Sequence, residues 1–485
     1  MEKYIYCKEA LPKPILDGHQ DWIDLYYRTW ELAFQNVEYI DQQGWKPQMT
    51  CMPGVNTIWQ WDSCLMTFIT NYANGTITAL NNLDNLYHLR RKSDGYMSMA
   101  YRISTEQPAW PGRINPPLMA WAEWDAYQVS GDRDRLKSVL PALEGNYQFI
   151  ENNRRGVTGL YWFEDPGSSG MDNAPRGPYA WPALDGAGIC YVDLACQQAL
   201  SAKCLSKICE VLGEPSKAEF YLSEQGRINA LINQYHWSEQ AGFYFDFFGR
   251  TDPATKVKYI NSKTAAAFWT VLCGAAQGHR LERMLEHLLN PNEFYTKVPF
   301  ATLSKDDPNY DPTGGYWLGG VWAPTNFALI RGLVENGRTD IAKKAAVDYL
   351  DAVCRVFHTP EYTTIWECYS PEAYLPATAE AGEWVRPDFV GWSGLAPVTM
   401  LIENIIGLRF DARHNTVHFR LPSEGTVGLE NMKFNGRTLS VVFGRREAHH
   451  IRVKTTESVT LKVYEEISMQ VHNFEVAAGE HLLRV

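Results

Sequence analysis

The sequence predicts a mainly α-helical protein, an (α/α)6 barrel of six helical hairpins in a ring, with a small C-terminal β-sandwich-like domain. Three observations predict it. Apolar helical stripes come in pairs that turn at glycines, namely Gly75, Gly131, Gly213, Gly278 and Gly337. Connections within these pairs are tight, whereas those between pairs are long. After Gly407 the apolar spacing changes from the helical period to the alternation of strands.

Each element follows from its residues. Residues 19–37 carry Trp22, Leu25, Tyr26, Trp30 and Phe34 at helical spacing. Residues 62–72 are almost wholly apolar, which predicts a buried helix stopping at Asn74-Gly75. After Gly131, Leu136, Val139, Leu140, Leu143, Tyr147 and Ile150 form one stripe. After Gly213, Ser216 and Glu219 have the spacing of a capping box ahead of Phe220 and Leu222. After Gly337, Thr339 is placed to cap a helix with Ile341, Ala345, Val347 and Leu350. A last apolar helix near 392–405 has no partner after it, and the helix at 19–37 has none before it. Pairing these two closes the ring, with the more apolar helix of each pair inside.

The runs at Thr416, Ser440, Ile451, Val459 and Met469 alternate β-formers between turn residues. Two domains are therefore expected, 1–407 helical and 408–485 all-β, the latter structural. A chain of 485 residues exceeds the usual single-core size, in keeping with this division.

Composition narrows the function. The net charge of −11 and the lack of any basic run argue against nucleic acid or an anionic membrane as partner. No signal peptide and no membrane span is visible, and the 10 cysteines form no C-x-x-C pair, so reduced thiols and a cytoplasmic location are expected. Aromatic content of 13% exceeds what a site alone needs, yet sugar sites also use rings, because the apolar face of a pyranose packs on them.

The long connections, roughly 38–58, 91–114, 153–188, 236–263, 290–318 and 358–390, open on one end of such a ring. They bring together Asp62 of Trp59-Gln60-Trp61-Asp62-Ser63, Asp172 of the Ser169–Arg176 stretch, and Glu367 between Trp366 and Tyr369. Glycoside hydrolysis needs two carboxyl groups, one to protonate the leaving oxygen and one to activate water or attack carbon. Asp172 and Glu367 are the candidates. A turn role for Asp172 and a solvated loop role for Glu367 remain open, with Glu361, Glu372, Glu380 and Glu383 as competitors. Asp62 suits either a helix cap or a grip on sugar hydroxyls.

Other chemistries lack their residues. There is no G-x-S-x-G elbow, P-loop, dinucleotide fingerprint, H-E-x-x-H or zinc-spaced cluster, so neither cofactor nor metal is expected. Asp306, Asp307, Asn309 and Asp311 lack the order of a calcium loop and read as an acidic turn.

The series Trp-x-Trp-Asp-Ser, Ser-Gly-Met-Asp-Asn-x-Pro-Arg, Gly-Gly-Tyr-Trp-x-Gly-x-Val-Trp, Glu-x-Tyr and Phe-x-Gly-Trp-Ser resembles glycoside hydrolase family 63. More narrowly it is similar to the mannosylglycerate-hydrolase-like branch, and distantly to the trehalases. The resemblance runs from about residue 50 to residue 405. It implies an (α/α)6 barrel and hydrolysis with inversion, with Asp172 as general acid and Glu367 as general base. It implies sugar contacts from Trp61, Asp62 and Asn115, and a pocket lining from Tyr316, Trp317, Gly319 and Trp322. Trp59, Asn173, Arg176, Trp366, Tyr369 and Trp392 belong to the same motifs and are further candidate substrate contacts. Leu318, Gly320 and Ser168 depart from the pattern of relatives and bear on the substrate. The resulting expectation is an inverting exo-acting hydrolase of a small α-linked glucoside or mannoside. A carbohydrate-binding inactive relative and another sugar enzyme such as a phosphorylase are the alternatives. The sequence sets no oligomeric state.

Overall fold

A computed structural model describes residues 3–177, 189–249, 257–422, 425–444, 450–465 and 470–485. The long connections 153–188 and 236–263 and the run at Met469 therefore lie partly outside the described residues, Met469 itself among them.

The helices are α1 (Gln20–Gln35), α2 (Gln60–Thr70), α3 (Leu80–Leu89), α4 (Met119–Ser130), α5 (Arg133–Asn153) and α6 (Val192–Leu212). They continue with α7 (Pro215–Tyr235), α8 (Trp269–Cys273), α9 (His279–Leu288), α10 (Ala323–Glu335), α11 (Thr339–Phe357) and α12 (Ala396–Ile406), the last wound as a π-helix. Every residue of α2, α8 and α12 is buried, in keeping with their mainly apolar sequences. By contrast α1, α5 and α11 bury one stripe and expose the other.

Neighbouring contacts follow this division. α2 packs on α4, α4 on α6, α6 on α8, α8 on α10, α10 on α12 with the turn before it, and these return to α2. α3, α5, α7 and α11 lie against the helix that precedes each, and α1 lies against α11 and α12. Between the buried helices, the Trp121 ring lies 4.4 Å from Phe68 and 5.5 Å from Phe327, with Trp269 at 6.1 Å. Each such ring pair adds about 0.5–1.5 kcal/mol beyond the area it buries.

The turns explain where the sequence reading erred. Gly131 and Gly213 end α4 and α6 in the left-handed conformation, as a C-terminal glycine should. Gly278, however, precedes α9; Gly274 is the residue that ends α8. No Ser216–Glu219 capping box forms, because Pro215 already starts α7 and Glu214 is its cap. Phe220 and Leu222, expected on the apolar face, are exposed. Thr339 is likewise the first helical residue of α11 and Arg338 its cap. A true side-chain cap occurs at Asp132, which accepts from the Arg135 amide at 2.9 Å.

The strands that follow are numbered with one from the N-terminal region: β1 (Lys13–Leu16), β2 (Leu408–Asp411), β3 (Thr416–Leu421), β4 (Thr426–Phe434) and β5 (Arg437–Gly444). Then come β6 (His450–Thr455), β7 (Val459–Glu465), β8 (Val471–Val476) and β9 (Gly479–Arg484). One sheet has the order β1-β4-β5-β6-β9 and the other β2-β3-β7-β8, with only the β3–β7 pair parallel. Inward residues alternate, as at Val417, Phe419 and Leu421 or Ile451 and Val453. The β region is thus not made from 408–485 alone, since β1 pairs Ile15 with Gly428 and Leu16 with Val427. At the junction, Gly407 has φ of 90°, and a Cβ there would lie 2.5 Å from the Arg420 carbonyl oxygen. Only glycine accepts both demands.

Candidate active site

α2, α4, α10 and α12 begin around a common pocket of about 200 Å³ lined by Asp62, Asp172 and Glu367. Asp62 lies in the first turn of α2, Asn115 precedes α4, Trp322 precedes α10 and Trp392 precedes α12. Trp59, Trp61, Asn115, Tyr316, Trp317, Trp322 and Trp392 complete the sequence-predicted residues that line it.

The rings are fixed by one another. Trp317 and Trp322 stack at 4.0 Å, and Trp61 lies 6.5 Å from Trp317 and 5.9 Å from Trp392. Trp61 also packs on the acid-bearing loop at Gly170, where a Cβ would fall 2.9 Å from the indole. Gly170 has φ of 81°, so glycine is required there for conformation and for space. Among the described residues, three buried polar atoms of lining residues, Asn115 Oδ1, Trp59 Nε1 and Trp317 Nε1, have no hydrogen-bond partner.

The three acids differ in surroundings. Burial among the pocket walls pushes the Asp172 carboxyl up to about 7, and the charges of Glu367, Glu380, Asp62 and Asp165 add to this. Its side chain still reaches the solvent of the pocket. Burial also raises Glu367, but the Arg386 amide at 3.4 Å, the Tyr316 hydroxyl at 3.0 Å and the Arg386 charge oppose the rise. Asp62 is pushed up to about 7 by burial, against a Cys51 thiol that donates to Oδ1 at 3.0 Å. Asp62 does not cap α2, whose N-cap is Trp59.

A second layer ties these acids together. Asn173, next to Asp172, donates from Nδ2 to the Gly315 carbonyl at 2.9 Å and accepts the Trp317 amide at 2.9 Å. That loop carries Tyr316 in the left-handed region, φ 64°, with its amide donating to the Thr378 carbonyl at 2.7 Å. Trp392 Nε1 donates to the Glu367 carbonyl at 3.0 Å.

Five residues predicted from their motifs lie outside the lining. Asn173 is spent on the loop just described. Arg176 is fully buried, gripping Asp193 at 2.6 and 2.7 Å and Asp246 at 2.7 and 3.0 Å. Gly319 takes φ of 151° against Tyr310. Trp366 donates its indole N–H to the Tyr362 carbonyl at 3.1 Å, and the buried Tyr369 hydroxyl accepts the Trp366 amide at 3.2 Å. These residues hold the walls and do not face the pocket. Leu318, Gly320 and Ser168 are outside the lining too.

The sequence reading passed over Met52, Met99, Gly167, Gly170 and Arg386. Gly170 stood inside a quoted motif and could have been found; Arg386 stands in no motif and is carried in by its backbone pairing with Glu367. In the acidic turn, Asp306 pairs with Lys263 at 2.7 Å, while Asp307 and Asp311 accept from amides two residues on. Among the described residues no helix is long and apolar enough to cross a membrane, and nine of the ten cysteines are buried.

Comparison with known proteins places this geometry. A protein of Borreliella burgdorferi described as uncharacterized is 26% identical over 90% of both chains. A probable mannosyl-oligosaccharide glucosidase of Schizosaccharomyces pombe is 24% identical over 56% of this chain, which spans about a third of that relative's length (35%). The solved family 63 mannosylglycerate hydrolase of Thermus thermophilus, in complex with glucose, shares the fold, with a TM-score of 0.61 at 19% identity over 78% of this chain and 100% of that one. Residues 55–384 match the mannosylglycerate hydrolase MGH1-like glycoside hydrolase domain. The chain therefore belongs to the MGH1-like glycoside hydrolases of family 63, and it is a glycosidase.

Proposed function

We propose that the protein is an inverting, exo-acting glycosidase of a small α-linked glucoside or mannoside, with Asp172 as general acid and Glu367 as general base. The observation that carries this reading is the meeting of Asp62, Asp172 and Glu367, far apart in sequence, in one aromatic-walled pocket. At about 200 Å³ the pocket falls below the ~300–1,000 Å³ of sites for drug-sized ligands. A single terminal sugar ring suits it.

The division of labour rests on the surroundings of the two groups. Asp172, raised to about 7, keeps a proton to give to the leaving oxygen. Glu367 has an amide and a phenol donating to it, which favour the carboxylate that draws a proton from water. Asp62 and Asn115 then grip hydroxyls of the ring, and the Trp rings stack on its apolar face. Inversion calls for about 6.5–9.5 Å between the two carboxyl groups, room enough for that water.

The cyclic order of helix contacts supports an (α/α)6 barrel for the helical part, with α1 and α12 as the sixth pair. The β region after Gly407, together with β1, is assigned a structural role as a sandwich-like domain.

The test is proton NMR of the anomers released from a panel of α-glucosides and α-mannosides, with Asp172→Asn and Glu367→Gln alongside. First appearance of the β-anomer, lost in both variants, is expected. First appearance of the α-anomer overturns inversion, and activity surviving in both variants overturns the assignment.

A further inference from the structure

A second cavity, about 230 Å³, lies at the far ends of the same buried helices, where they meet the β region. It is bounded by Tyr72 just past α2, Val129 near the end of α4, Arg331 and Glu335 in the last turns of α10, and Arg409 of β2. It shares no lining residue with the acid-lined pocket.

The charges around it do not balance contact by contact. Four acids line it, and each is engaged within the protein. Asp125 accepts from Arg331 at 2.9 Å and Asn71 at 3.0 Å; Glu403 accepts from Arg331 at 2.6 Å and the Tyr72 hydroxyl at 2.6 Å. Glu335 pairs with Lys203, and Asp411 with His414 at 2.7 Å. The four cations are not all so engaged. Among the described residues Lys207 has no carboxylate partner and lies 5.5 Å from the Trp124 ring. Arg409 Nη2 faces Glu403 Oε2 at 3.5 Å, an ion pair too long for a hydrogen bond, so both atoms lack one, and about a quarter of the Arg409 side chain stays open to the cavity. Arg331 Nε is buried without an acceptor.

The carbonyl ends of several helices converge here, which accounts for a gathering of cations. It does not account for Lys207 and the open part of Arg409, two cations that border the cavity without a close carboxylate. Burial and the adjacent Arg331 charge both press against the Arg409 charge, which an anion would relieve.

We propose that this cavity is a second ligand site, for a small organic anion bearing a carboxylate or a phosphate. Arg409 and Lys207 receive the anionic group, and Trp121, Trp124 and Phe410 wall its body. Because Arg409 belongs to β2 and Lys207 to α6, the anion bridges the helical and β regions.

The test is isothermal titration calorimetry of the full chain with inorganic phosphate and with malonate, each against sodium chloride at matched ionic strength. One site per chain is expected for at least one of the two anions, weakened tenfold or more by Arg409→Gln and by Lys207→Met. Asp172→Asn is expected to bind as the wild type does. Phosphate alone, malonate alone or both binding in this way names the anionic group. If Arg409→Gln does not fold, Lys207→Met carries the test. Failure of both anions to bind, binding indifferent to the substitutions, or binding abolished by Asp172→Asn overturns the proposal.

Discussion

The Tyr316 hydroxyl donates to Glu367 Oε1 at 3.0 Å from a backbone held at φ 64°. A bulky residue in that conformation costs about 1–3 kcal/mol, so the surrounding bonds are holding the phenol where the carboxylate needs it. Tyr316→Phe is predicted to remove a donor from the charged form and thus to raise Glu367 further. Hydrogen bonds to charged groups are worth about 1.5–3 kcal/mol, or roughly one to two pH units. The acidic limb of kcat/KM against pH should move up by about one unit. An unmoved limb would make Tyr316 a packing residue only.

The wild-type profile should be bell-shaped. Activity rises with pH as Glu367, held above its usual range, gives up its proton, and falls as Asp172 loses its own near 7. Initial rates on a cleavable aryl glycoside across the range check this; a flat profile above pH 7 removes Asp172 from the acid role.

Asp62 couples the pocket to stability. Its folded pKa, about 7, exceeds the ~3.9 of an unfolded aspartate, so the native state binds the extra proton between those values. Stability is therefore lost as pH rises from about 4 to 7, by at most about 4 kcal/mol from this group. Asp62→Asn should flatten that decline while lowering kcat/KM. Urea unfolding at pH 4.5 and 7.5 measures it, and an equal decline in both proteins refutes it.

Asn115→Ala leaves α4 intact but removes the unpartnered Oδ1 and the Nδ2 bond to the Ser168 carbonyl at 3.1 Å. A loss of about 1–3 kcal/mol in transition-state binding is expected, roughly 5- to 150-fold in kcat/KM. Steady-state kinetics with little change in Tm would support a direct sugar contact.

Arg176→Leu tests the opposite case, a motif residue that builds rather than binds. Removing it strands Asp193 and Asp246, both buried, and frees the Ser169 hydroxyl that Arg176 holds at 3.0 Å. The expected loss of stability is about 3–5 kcal/mol without any substrate present. Denaturant unfolding reads it directly.

Much of this architecture was legible because its signals are local. Left-handed glycines after apolar stripes marked the turns at Gly131 and Gly213, and the change of period marked Gly407. The meeting of Asp62, Asp172 and Glu367 followed from closing the helix pairs into a ring whose long connections open on one end. What escaped was set by neighbours distant in sequence. Whether Ser216 or Thr339 caps a helix depends on where the preceding turn delivers the chain, and Pro215 moved that start. Arg176 and Asn173 sit in the most informative motif, but a motif records constraint without saying whether it comes from substrate or from packing. Arg386 has no motif and reaches the pocket only through tertiary pairing.

The pairing of β1 with β4 closes one sheet between positions some 400 residues apart. On the ribosome, Lys13–Leu16 must therefore wait for its partner until some 400 further residues have been made. An unpaired edge of this kind can recruit a stray strand from another chain. The sheet closes only after the whole helical region has been made, so that region spends its early life with an open seam beside it.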